Sequence, residues 1–125
     1  MQSIDAVVHV AHNRIVAAAN SSAFKVGGAT AIGWQYWGSD GSTTQADLTA
    51  VSIELQGRVV QRENGAPAGT TLLTGPWIKI GDTMTGVSGD LIRDVTPIAV
   101  TEVRIVVNSM TLGSAADLNA LIRLS

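Results

Sequence analysis

The chain has 125 residues and a net charge of −2, a balance that argues against a concentrated basic face for nucleic-acid phosphates. Cysteine is absent, which excludes disulfides, thiolate metal sites, iron–sulfur clusters and thiol nucleophiles. Charged residues make up only 14%, against roughly 25% in ordinary soluble domains. A surface this poor in charge favours burial in an assembly over a neutral Thr/Ser/Gln-covered monomer.

A chain of this length folds as one domain and buries about two-thirds of its unfolded surface. No apolar run approaches the ~18 residues of a membrane helix, and no basic region precedes an apolar one at the N-terminus. Neither a membrane span nor an ordinary secretion signal is expected.

Residues 1–20 carry two overlapping patterns. Ile4, Val7, Val8, Ala11, Ile15, Ala18 and Ala19 fall at helical spacing, while Val7, Val8, Val10, Ile15 and Val16 are β-branched and flank a polar His12-Asn13-Arg14 segment. Two short strands are preferred, so this stretch is expected to be an N-terminal arm or short hairpin ahead of a sandwich domain at 21–125. Ala23 to Val26 reads as a strand ended by Gly27-Gly28. In Thr30 to Trp37, Ile32, Trp34 and Tyr36 share one face and Gln35 and Trp37 the other, before an Asp40-Gly41 turn. Trp34 and Trp37 cannot both point inward from a regular strand. Trp34, Tyr36 and Trp77 are assigned to the core, and Trp37 is the candidate for an interface or ligand contact.

Thr49, Val51, Ile53 and Leu55 alternate with Ala50, Ser52, Glu54 and Gln56 up to Gly57, read as a bulge or bend. Arg58 to Arg62 continue extended, and Asn64-Gly65, Pro67 and Gly69 mark a loop before Thr70 to Leu73. Trp77 to Ile80 is a strand ended by Gly81-Asp82, followed by a longer connection over 83–97 around Leu91-Ile92. The cleanest patterns close the chain. Val103, Ile105 and Val107 oppose Glu102, Arg104 and Asn108, and Leu118, Ala120, Ile122 and Leu124 oppose Asn119, Leu121 and Arg123. They are expected to pair as an antiparallel hairpin, with Val106 and Leu121 as apolar interruptions of its outer face. The whole reads as an all-β, antiparallel β-sandwich, jelly-roll or Ig-like.

No constellation nominates an enzyme. His9 and His12 lack an implied third metal ligand, and Gly86-Val87-Ser88-Gly89 is not a Gly-x-Ser-x-Gly elbow. The glycines at 27, 28 and 33 lack the Lys-Ser/Thr of a phosphate loop. Asp82, Asp90 and Asp94 do not follow EF-hand spacing, and solvated loop carboxylates are preferred to a calcium site there. No cofactor and no metal are expected.

Val51 to Gly57, then Gly75-Pro76-Trp77-Ile78-Lys79-Ile80, then Val103 to Val107 and Leu118 to Leu124 resemble the small β-sandwich proteins of tailed-phage virions over about residues 48–124. Arg58-Val59-Val60 stands where such proteins usually carry an Asp-Gly turn. The resemblance implies a structural role in a virion assembled in the host cytoplasm: a capsid decoration (cement) protein, often trimeric, or a head-fibre or tail component. Its partners would be copies of itself and the major capsid protein, with neither nucleic acid nor membrane. Trp37, Val106 and Leu121 are the candidate contacts, together with Val8 and Val10 on an arm laid along a neighbouring subunit. The alternative is a carbohydrate-binding sandwich, on a phage tail or a cellular enzyme, using Trp37.

Overall fold

The computed structural model describes residues 7–61, 72–89, 93–95 and 99–125, the 93–95 segment by its backbone. Nine strands are defined among them: β1 (Val7–Ile15), β2 (Ala19–Asn20), β3 (Phe24–Lys25), β4 (Ile32–Ser39), β5 (Ala50–Arg58), β6 (Ile78–Met84), β7 (Arg93–Val95), β8 (Glu102–Thr111) and β9 (Asp117–Leu124). They form two antiparallel sheets, ordered β1-β9-β4-β7 and β2-β8-β5-β6, with β3 also on β8. The expected all-β antiparallel sandwich is the fold.

Alternation places the core between the sheets. Ile32, Trp34 and Tyr36 of β4 and Leu118, Ala120 and Ile122 of β9 meet Val51, Ile53 and Leu55 of β5 and Val103, Ile105 and Val107 of β8 in one buried cluster. Fully burying each large side chain contributes roughly 1.5–3 kcal/mol before ordering costs. Trp34 and Tyr36 stack with ring centroids 6.1 Å apart.

Several expectations need correcting. The last two strands do not form a hairpin: β8 pairs with β5 and β9 with β4, in opposite sheets. Both present an apolar inner face, and residues 112–116 cross the sandwich between them. Ala115 is buried at that crossing, and the amides of Ala115 and Ala116 donate to the carbonyls of Asp47 and Ser39. The N-terminal stretch is neither an arm nor a hairpin over its described part. Val7–Ile15 pairs along β9 of its own chain, with register irregularities around His12 and a left-handed Arg14 (φ 55°). The chain then moves to the other sheet, where β2 extends the β8 edge.

Gly57 is not a bulge. It pairs in register with Ile78 and Val103, and an added Cβ would lie 2.6 Å from Ile80 Cδ1 and 2.8 Å from Val100 Cγ1. Its lack of a side chain lets those residues close over β5. A register shift falls at Asn108 instead, between the pairs Ser52 with Ser109 and Ile53 with Val107. Gly81-Asp82 does not end β6; positive φ at Gly81 (73°) accommodates extra residues between the pairs Leu55 with Ile80 and Ile53 with Met84. The 83–97 connection contains β7, which extends β4. The loop expected around Asn64-Gly65, Pro67 and Gly69, the start of the Thr70–Leu73 run, Leu91-Ile92 and Asp90 lie outside the described residues, as does the Asp94 side chain.

Candidate functional site

The outer face of the β1-β9-β4-β7 sheet carries four of the five candidate contacts. Val10 pairs with Leu121, which pairs on its other side with Gln35, and Val8 pairs with Arg123. Val8 and Val10 are 56% and 58% exposed, and Leu121 is half-buried. Val8, Leu121, Gln35 and Arg123 border a shallow depression of ≈ 140 Å³. Because β1 ends the sheet among the described residues, its apolar side chains stand beside a strand edge able to accept another strand.

Further along β4, the same face changes character. Trp37 pairs with Asn119 and is half-buried, outside the core cluster, as its odd spacing from Trp34 requires. It borders a cleft of ≈ 460 Å³ with Gln35, Thr43, Gln45 and Ser88. Local hydrogen bonds hold the walls. Asp40 accepts from the Ser42 amide at 2.9 Å, and the Asp40 amide donates to the Thr44 carbonyl at 3.0 Å. The bonds that the carboxylate accepts, from the Ser42 hydroxyl foremost and then the Ser42 amide, hold the Asp40 carboxyl below its usual range. Opposite, Tyr36 donates its hydroxyl to the Gly86 carbonyl at 2.7 Å, and the Leu48 amide donates to Val87 at 2.9 Å.

Val106, the fifth candidate, is not a contact surface. It is 7% exposed, between Asn20 of β2 and Glu54 of β5. Alternation alone places this position outward, beside β2 and β5.

Trp77 also departs from expectation. Instead of filling the core it is half-buried, with the guanidinium carbons of Arg58 and Arg104 each 4.3 Å from its ring centroid. Arg58 pairs with Glu102 at 2.8 Å, and Arg104 donates to Gln56 at 2.8 and 3.0 Å. Desolvation, then the charge of Arg58, lowers the Arg104 pKa. Burial acts against the charged form of neighbouring Glu54, yet hydrogen bonds from Asn108 and Gln56 and the charge of Lys79 outweigh it, so its pKa is lowered. Arg58 and Arg104 alternate with core residues and so were legible as outward-facing. Their engagement of Trp77 was not.

The histidines serve the fold. His9 stacks on Phe24 at 4.8 Å, and His12, 4% exposed, bonds through Nε2 to the Ile105 carbonyl at 2.9 Å. Among the described residues no three His, Cys, Asp or Glu side chains cluster as a metal site.

The fold has a solved counterpart. The chain superposes on the crystal structure of the SPBc2 prophage-derived protein YomS with a TM-score of 0.60 and 18% sequence identity, over 99% of this chain and 96% of that one. At that identity the similarity establishes the shared fold. No protein-family model and no curated protein sequence matches the chain.

Proposed function

We propose that this protein is a non-enzymatic structural component of a tailed-phage virion, a capsid decoration protein that associates with copies of itself and bridges major capsid subunits. The observation that carries the reading is the apolar outer patch of Val8, Val10 and Leu121 beside the β1 edge. Burying such side chains contributes roughly 1.5–3 kcal/mol each before ordering costs, and a symmetric assembly repeats the contact in every copy. The prophage origin of the YomS fold supports a phage setting. So does the low charged fraction of 14%. Binding the assembled shell, and not its free subunits, would stabilise the shell by mass action, with many symmetry-related sites acting together.

Light scattering on the purified protein should give a small oligomer, a trimer being expected. Val8→Lys with Val10→Lys should shift it toward monomer and reduce the heat resistance conferred on capsids. A strictly monomeric protein with no affinity for a shell overturns the proposal.

A further inference from the structure

The cleft beside Trp37 has a chemistry that self-association does not use. We infer that it binds one or two residues of an uncharged saccharide. Its ≈ 460 Å³ falls within the roughly 300–1,000 Å³ of small-ligand sites. Of the three tryptophans, Trp34 stacks on Tyr36 in the core and Trp77 is engaged by Arg58 and Arg104. Trp37 has no aromatic or cationic partner among the described residues.

Around that ring, the side chains of Gln35, Thr43, Gln45 and Ser88 make no hydrogen bond to other described groups. Nearby polar groups are already committed, such as Asp40 to Ser42, Tyr36 to Gly86 and Asn119 to Asp117. The described lining therefore offers amide and hydroxyl donors and acceptors, with no ionisable acid or base among Gln35, Trp37, Thr43, Gln45 and Ser88. A pyranose meets those demands: its C–H face packs on an indole, while its hydroxyls pair with carboxamides and hydroxyls. A phosphate or carboxylate ligand would find no countercharge among them. The hydrogen-bonded walls order the site before ligand arrives, which reduces the entropic cost of binding.

The test is a glycan array carrying neutral hexose- and N-acetylhexosamine-terminated oligosaccharides beside sialylated and sulfated ones, followed by tryptophan-fluorescence titration with the best neutral probe. The intact protein should bind neutral glycans, and Trp37→Ala should weaken the titrated affinity by about tenfold or more. Thr43→Ala with Gln45→Ala, on an exposed loop, should weaken it comparably and guards against misfolding of the Trp37 variant. Silence of the intact protein across the array, preference for charged glycans, or unchanged binding in the folded Thr43/Gln45 variant overturns the inference.

Discussion

His12 belongs to a strand of one sheet and bonds to a backbone carbonyl on the other, so a single imidazole ties the two layers together at their β1 and β2 flank. The Ile105 carbonyl also accepts from the Ser21 amide at 2.9 Å, while the Ile105 amide donates to Ser21 Oγ at 2.9 Å. Desolvation lowers the His12 pKa from its ordinary 6.5, only partly opposed by the bond to Ile105. Below pH 6.5 the unfolded chain therefore takes up the proton more readily than the folded one, and stability falls with pH. Urea midpoints measured from pH 7.5 to pH 5 should decline, and His12→Gln, which retains a side-chain donor but cannot titrate, should flatten that decline. An equally steep decline in the variant would assign the effect to other groups.

At the scale of the strand, β8 and β9 look alike in sequence and differ in what covers them. Val106 and Leu121 are both apolar interruptions of a polar face with a strand on either side, yet Val106 is buried between Asn20 and Glu54 while Leu121 stays half-open between Val10 and Gln35. Val106→Lys forces a longer side chain into a position only 7% exposed, where even the facing Glu54 leaves little room, and should destabilise by about 1–3 kcal/mol. Leu121→Lys can extend its ammonium to solvent and should stay within about 0.5 kcal/mol of the parent. Chemical denaturation of the two variants checks the contrast. Equal losses would mean that Leu121 is packed as deeply as Val106. The Arg58–Glu102 pair is partly buried, its side chains 26% and 17% exposed, so its Coulomb attraction is offset by desolvation.

Across the whole molecule, the main pairings join distant parts of the chain: β1 with β9, β4 with β9, and β5 with β8. Long loops must close before these contacts reward the chain, so stopped-flow refolding should fall in the millisecond-to-second range typical of sandwiches. Microsecond refolding would point to a locally stabilised nucleus that the pairing pattern does not contain. The same topology separates the two proposed surfaces. Val8, Val10 and Leu121 lie toward the β1 edge for protein contact, and Trp37 lies toward the loops after β4 for ligand, both on one sheet face.

Much of this was legible in local pattern. Alternation in 32–37, 51–55, 103–107 and 118–124 reports which side chains turn inward, because a strand has a period of two and one face must leave water. It placed Trp34 inside and Trp37 outside, and it identified an all-β chain. Pattern is silent on which strand lies beside which. Register and sheet membership depend on packing between residues 21 (Gly57 with Ile78) to 117 (Val7 with Leu124) positions apart, so β8 and β9 read as a hairpin, Trp77 as core and Val106 as open surface. The cleft beside Trp37 was equally hidden, since Gln35 and Trp37 reach Thr43, Gln45 and Ser88 only once two separate loops fold against β4. Sequence by itself determined the inward faces of β4, β5, β8 and β9 through solvent exclusion; tertiary structure decided the neighbours, and with them which nominated surfaces stand open.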